Sequence, residues 1–541
     1  MSIPTSQYAI QFVGVDEIVL NRDKPVPAVG PTQLLLAVEV CGICFSDTKL
    51  LHAFDAHPRK SAVVSGLDAA ELASVSSYVP GSLPAVPGHE PVCRVVAVGD
   101  AVTHYRVGDR VLVQADWRHL PTATSNGAFG YNFEGALQEY VLVDERIVVH
   151  GSDEFLIRVS EGPSAAQVGL IEPWATVEAS YASAERRGRL PGGRLLVVAD
   201  PGAAVCSLAG GPAASEVVVV GTTGAEVGLT ATASELDAVG GSFDDIVYFG
   251  HDAATVEALG RLLGNRGVCN VVLGGGRLER AVSIDAGRVH YDFIRFVGTP
   301  GHDPADGYAM IPETTDLEAG ESLLIIGAAG PMGLMHTMRA AVLGRGVRID
   351  AGDVSDERLA NLEAVVAPAA AARGASLRCL NTAAGLPGSG YDYVTCMVPV
   401  PALLAAGVDA AGVGGVVNVF AGLPAGTLAE LDLQAMIERR VFVFGTSGSG
   451  LSDMTTVLAK IEAGDYDTSI SLDAVCGMAG VEEAIAAVNS RTTGGKILVY
   501  PSLRELGLVR VRDLAERFPD VARELDGGVW TKRAEEALLR G

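Results

Sequence analysis

The sequence predicts an α/β chain: a β-barrel-like domain followed by two tandem doubly wound units. Three observations carry this. Residues from Tyr8 to about Val149 fall into short strand-like runs separated by Gly-Asp turns. Beyond residue 191, apolar strand-like runs alternate with Ala-rich helical segments, the pattern of βαβ units around a parallel sheet. After Glu318-Ala-Gly-Glu321 that alternation begins a second time.

The 541 residues are too many for one compact core, so two to four domains are expected. A formal charge of -25, with no Lys/Arg block to override it locally, disfavours nucleic acid and anionic lipid as partners. Met1 to Val13 has no basic segment ahead of a long apolar run, and no later stretch stays apolar for the roughly 18 residues of a spanning helix. A soluble, cytoplasmic protein is the expectation, with its eight scattered cysteines reduced.

In order, strands are predicted at Gln33 to Val40, Cys93 to Val98 and Val107 to Val113. The loop-rich stretch between Leu50 and Pro84 holds one short helical piece, Asp68 to Ser74. An Ala-rich run from Pro173 through Arg187 reads as a helix. Strands follow at Arg194 to Ala199, Glu216 to Val220, Asp245 to Phe249, Cys269 to Leu273 and Phe293 to Val297. The second series is Ser322 to Ile326, Val347 to Ile349, Asp392 to Cys396, Val416 to Phe420 and Val441 to Phe444. Phe243-Asp-Asp-Ile-Val matches Tyr391-Asp-Tyr-Val-Thr, and Phe296-Val-Gly-Thr matches Val443-Phe-Gly-Thr. These parallels predict two Rossmann-like units of common origin, with two unrelated parallel sheets as the alternative. The domains expected are 1–190, 191–301, 318–447 and 448–541. The last returns to the first domain through helices near Met454 to Glu462 and Val481 to Val488 and a strand Gly495 to Tyr500. An amphipathic helical tail from Leu503 to Arg540 then docks on the body.

Two constellations carry chemistry. Gly327-Ala-Ala329-Gly330-Pro331-Met332-Gly333 follows a strand and opens a helix, where glycines let a pyrophosphate approach the helix N-terminus. Asp353, near the end of the next strand, is placed to accept both ribose hydroxyls and repel a 2′-phosphate, which favours NAD over NADP. Arg358, Gly445 and Thr446 complete the expected cofactor contacts. The first unit has Ala199-Asp200-Pro201-Gly202 at the matching place and too few residues for a full crossover helix, so it is expected to be degenerate and not to bind a dinucleotide. A structural or interface module is its expected role. The second constellation is Cys41-Gly42-Ile43-Cys44-Phe45-Ser46-Asp47 with Gly88-His89-Glu90 and Glu172-Pro173. Thiolate, imidazole and carboxylates beside Gly or Pro are the donors of an open, catalytic zinc site.

On Gly-Ile-Cys44-x-Ser-Asp, Gly88-His-Glu90, Glu172-Pro and Gly-Ala-Ala-Gly-Pro-Met-Gly, the chain resembles the zinc-dependent medium-chain dehydrogenase/reductase superfamily. Val113-Gln-Ala-Asp116, Ala128-Phe-Gly-Tyr-Asn132 and His290-Tyr-Asp-Phe-Ile294 are similar to its sorbitol dehydrogenase and L-sorbose-1-phosphate reductase groups. The resemblance implies a GroES-like barrel as the first domain and one zinc held by Cys44, His89 and either Glu90 or Glu172. Glu172 stands where alcohol dehydrogenases carry a cysteine and polyol dehydrogenases a glutamate. Cys41 is not a ligand in this reading, Asp47 orients His89, and Ser46 passes the substrate proton outward. Lys49 replaces a relay histidine and is either an attractor of a substrate phosphate or a solvated surface lysine. Only Cys93 lies between His89 and Glu172, so no second, structural zinc is expected. The implied reaction moves a hydride between a polyol or sugar substrate and a nicotinamide near Gly445-Thr-Ser-Gly448, in a homo-oligomer, dimer or tetramer. The alternatives are a zinc-free enone or quinone reductase and a non-catalytic nucleotide-sensing scaffold.

Overall fold

The computed structural model describes residues 3–541, which divide into two compact units, 3–176 with 449–541, and 177–448. The boundary falls inside the helix Ile171–Tyr181. That helix is shorter than the run to Arg187 suggests. Beyond Tyr181 the chain is irregular, and Arg186 is drawn to Asp245 in an ion pair of 2.7 Å instead of continuing the helix.

The first unit is organised on the strand Gln33–Ile43, which is buried along most of its length because Leu34, Leu35, Leu36, Val38 and Val40 supply apolar side chains to both faces. It pairs antiparallel with Glu90–Val98, with Tyr140–Asp144 and with Lys496–Val499. The last of these returns the C-terminal residues to the first sheet. Phe12, Trp117, Phe129 and Phe133 fill the core of this unit. The tail holds three helical pieces, Leu514–Arg517, Pro519–Ala522 and Lys532–Arg540, interrupted at Pro519 and Gly527-Gly528. It is tied down by Glu535, a buried carboxylate that accepts from Ala165 N, Ala166 N and Tyr500 Oη at 2.7 to 2.9 Å.

The second unit contains two six-stranded parallel sheets of identical order. The first runs 232–233, 216–220, 194–199, 243–249, 263–272, 295–299; the second runs 376–381, 348–353, 322–326, 391–396, 411–419, 442–444. In chain order each is 3-2-1-4-5-6, the doubly wound arrangement of a dinucleotide-binding fold. Both sheets carry a register shift at the same place, between Phe243 and Asp245 and between Tyr391 and Tyr393. The first is degenerate in the expected way: no helix connects Arg194–Ala199 to Glu216–Val220, whereas Pro331–Val342 fills that place in the second. Two short strands that the sequence reading missed, Val282–Asp285 and Leu428–Leu431, pair antiparallel with each other.

Candidate functional site

Cys44 lies where the Gln33–Ile43 strand turns into the helix Phe45–Ala53, and its extended backbone makes it the N-cap. Asp47, at the third helical position, reaches back so that Oδ2 accepts Cys44 N–H at 2.9 Å, the carboxylate half of a capping box. Its other oxygen accepts Gly88 N–H at 3.3 Å and lies 3.2 Å from His89 Nδ1, close in distance though outside good hydrogen-bond alignment. One buried carboxylate thus joins the cysteine turn to the histidine turn. Gly88 has φ +95°, and a Cβ there would lie 2.8 Å from Cys41 Sγ, so this turn accepts only glycine.

His89 Nε2 faces inward, 3.2 Å from Ser46 Oγ. Glu90 begins the neighbouring strand directly opposite Gly42. Its Oε1 accepts Lys496 Nζ at 2.6 Å, while its Oε2 is buried without a hydrogen-bond partner. A Cβ at residue 42 would lie 2.1 Å from that Oε2, so the missing side chain of Gly42 makes the space the carboxylate occupies. Donor atoms of Cys44, His89 and Glu90 all lie within 4.8 Å of one another, the separation of atoms that share one small cation. Glu172 is not part of that group among the described residues. Burial, and then the Glu90 charge beside it, push the Glu172 carboxyl up to about 7.

Burial works against a charged Lys496, but Glu90 and the neighbouring acidic groups outweigh it and hold the ammonium above its ordinary range. Burial likewise opposes a charged His89 and is outweighed by Tyr131 and Asp47, so the metal-free imidazole is held well above its usual value. Burial pushes the Cys41 thiol far up, and its Sγ points at its own turn, toward Gly42 O. Lys49 is exposed with its ammonium over the Phe45 ring, so the structure places it at the surface beside the cluster. Three neighbours went unread in the sequence. Lys496 comes from a strand 406 residues beyond Glu90. Arg59 stacks on Tyr131 and pairs with Asp116, while His57 stacks on Tyr131 at 5.3 Å and is lowered to about 4 by burial and the adjacent cations. A lysine opening an otherwise apolar strand, after Gly494-Gly495, was the one available signal for Lys496.

In the second unit, Gly327 has φ +87°, and a Cβ there would lie 2.4 Å from Val398 Cγ2. A Cβ on Gly333 would lie 2.5 Å from the carbonyls of Gly327 and Ala328, so helix and strand pack as closely as a phosphate loop requires. Gly330 caps the helix and Pro331 opens it. Ala329 N–H is held by Asp353 Oδ2 at 3.1 Å, and Asp353 Oδ1 accepts Val354 N, Ser355 N and Arg358 Nη2. Asp353 therefore fastens the loop, a role beyond the ribose contact expected of it. Thr446 Oγ1 is buried without a partner, and Gly445 is packed so that a Cβ would lie 2.8 Å from His290 Cα. At the matching point of the first sheet, Asp200 Oδ2 is taken by Tyr248 Oη and His251 N. That carboxylate stands where a phosphate would need amides.

Residues 30–153 match the alcohol dehydrogenase GroES-like domain. D-altritol 5-dehydrogenase of Agrobacterium fabrum is 29% identical over 149 residues, 25% of this chain and 36% of that protein. Sorbitol dehydrogenase 2 of Saccharomyces cerevisiae is 27% identical over 172 residues, 31% of this chain and 42% of that protein. The chain thus spans about 40% of the length of the curated relatives it matches. In fold it resembles 2R,3R-butanediol dehydrogenase of Bacillus subtilis, with a TM-score of 0.52, 18% identity, and coverage of 92% of this chain and 100% of that one. Residues 30–153 thus carry the alcohol dehydrogenase GroES-like domain, and the chain is similar to alcohol and polyol dehydrogenases there in sequence and over most of its length in fold. An Escherichia coli member of this fold, solved with NADH, is 14% identical with a TM-score of 0.51 and covers 92% of this chain and 100% of its own. Among the described residues, no helix is long and apolar enough to cross a membrane.

Proposed function

We propose that this chain is a zinc-dependent oxidoreductase that interconverts a secondary alcohol, in a polyol, sugar or sugar phosphate, and its ketone, with NAD(H) as hydride carrier. The observation that carries this reading is the gathering of Cys44, His89 and Glu90 within 4.8 Å around a buried, unpartnered Glu90 Oε2. Those donors fit a zinc ion, which when bound supplies Lewis acidity toward a substrate oxygen. Cys44 and His89 hold it, with a carboxylate from Glu90 or Glu172 as the third protein donor.

The remaining work falls to the chain's own groups. The Asp47 carboxylate, 3.2 Å from His89 Nδ1, favours the ring orientation that presents Nε2 as the donor. Ser46 would accept the proton of the substrate hydroxyl while giving up its own toward solvent, and a bound NAD+ would supply the hydride acceptor. Lys496 balances one charge of Glu90 in a site otherwise rich in anions. Gly327 to Gly333 receive the pyrophosphate, and Gly445 and Thr446 border the nicotinamide. The names of two relatives, D-altritol 5-dehydrogenase and sorbitol dehydrogenase, support a polyol substrate, and the NADH in the Escherichia coli structure supports the coenzyme.

The test follows nicotinamide absorbance with NAD+ and sugar alcohols, or NADH and ketoses and ketose phosphates, before and after chelation. Chelator-sensitive turnover, one zinc per chain and one dinucleotide per chain are expected. Turnover that survives complete removal of metal would refute the zinc assignment.

A further inference from the structure

The terminal strands of the two parallel sheets, Arg295–Thr299 and Phe442–Phe444, are buried along their whole length. A terminal strand ordinarily leaves one margin at the surface, open to another chain. Here each margin is covered by the other sheet. The Arg295 guanidinium lies 5.9 Å from the Phe444 ring centre and donates to Gly445 O at 2.9 Å. The apolar core is continuous across the junction, with Val282, Ile284 and Val289 packed in one cluster with Leu431, Leu433 and Ile437.

The junction has two-fold symmetry. Asp285 caps the helix Ala286–Tyr291 just as Asp432 caps Leu433–Arg439, which makes Val282, Ser283 and Ile284 the counterparts of Ala429, Glu430 and Leu431. The observed pairs are Val282 with Leu431, Ser283 with Glu430 and Ile284 with Ala429. Val282 therefore faces the counterpart of Ile284, Ile284 faces the counterpart of Val282, and the middle residue, Ser283, faces its own. Side-chain packing repeats the relation. A Cβ on Gly298 would lie 2.6 Å from Ile437 Cδ1, and one on the equivalent Gly445 would lie 2.8 Å from Cα of His290, the counterpart of Ile437. Leu278 N donates to Gln434 Oε1 at 3.0 Å, and Gly287, the counterpart of Gln434, lies against Ala425. Reciprocal contacts of this kind define an isologous interface, which in general joins two copies of a chain.

We propose that the degenerate unit is a built-in partner subunit: it occupies, within the same chain, the two-fold position beside the nucleotide-type sheet, and closes that edge against a second copy. The contacts described above come from the half of the degenerate sheet that keeps its helices, 243–299, and not from the half that has lost its crossover helix, 194–233. A second copy pairing through Leu428–Leu431 would set Glu430 against Glu430, a like-charge pair that a sheet disfavours. Ser283 opposite Glu430 removes that repulsion. Self-association of this chain, where it occurs, uses another face.

The test is a disulfide in the full chain carrying Ser283→Cys and Glu430→Cys, two positions directly opposite in the antiparallel register, where Cβ atoms lie about 4.5–5.5 Å apart, near the span of a disulfide. Oxidation is expected to link the two cysteines within one chain, shown by peptide mapping and by unchanged chain mass on a non-reducing gel. A linked species containing two chains, or no linkage in a folded protein, overturns the proposal. Hydrogen exchange on the unmodified chain gives an independent reading. Amides of Val282–Asp285 and Leu428–Leu431 should stay protected to the same degree over a hundred-fold dilution, and protection that falls with dilution overturns it equally. Neither measurement depends on zinc, coenzyme or turnover.

Discussion

Replacing Lys496 with Met tests the charge balance of the proposed metal pocket more directly than replacing one of its candidate ligands. The ammonium is 6% exposed and sits 2.6 Å from a Glu90 carboxylate that is fully buried. Removing one partner of such a pair strands the other charge, at a cost of about 3–5 kcal/mol. Glu172 raises that cost, since the Glu90 and Glu172 charges already oppose one another. In chelator, Lys496→Met should therefore lose about 3–5 kcal/mol in urea unfolding monitored by fluorescence, and the double variant with Glu90→Gln should recover most of it. With saturating zinc the single variant should lose less, because the cation replaces the missing positive charge. A Lys496→Met protein within 0.5 kcal/mol of the parent in chelator, or a double variant no more stable than the single, would refute the reasoning.

Gly42→Ala pushes a methyl group into the position of Glu90 Oε2; elemental analysis should show metal well below one equivalent per chain, with about 1–3 kcal/mol lost from overpacking. Gly333→Val sets its side chain against the Gly327 and Ala328 carbonyls and should weaken NADH binding at least about ten-fold, or about 1.4 kcal/mol, by fluorescence titration, without changing metal content. His336 is fully buried against Tyr181, and burial, then Arg339, lowers it from 6.5 to about 3. The folded state refuses a proton that the unfolded chain takes up, so this stability is complete above about pH 6.5 and declines as pH falls toward 3. The slope approaches 1.4 kcal/mol per pH unit, or about 2 kcal/mol by pH 5. His336→Gln should flatten the difference between pH 7 and pH 5 by that amount in denaturant titrations.

The parts of the fold that were legible are those written locally. Apolar runs such as Val217 to Val220 and Leu323 to Ile326 announce buried parallel strands, and the glycines from 327 to 333 announce the turn they make. The repeat was legible because Phe243 and Tyr391 open equivalent strands in nearly the same words. What stayed hidden depends on distant partners. Nothing near Lys496 points to Glu90, because their meeting is set by the pairing of Ile497 with Ile43 and of Gly42 with Glu90. Val282–Asp285 and Leu428–Leu431 are four residues each and are stabilised by one another, so neither shows a period long enough to read. The carboxylates posed a different problem. The family resemblance left Glu90 and Glu172 both open, and the cross-strand geometry at Gly42 brings Glu90 into the group with Cys44 and His89.

The symmetric junction has a genetic consequence. When identical chains associate about an axis, one codon change alters both sides of the contact at once, and a gain on one side must be tolerated on the other. With both sides encoded in tandem, each can drift alone. His290 can take the place of an isoleucine, and Arg295 that of a phenylalanine, while their sisters at 437 and 442 stay apolar. Such a chain is free to specialise one sheet for a ligand and leave the other to keep only the shape of its embrace.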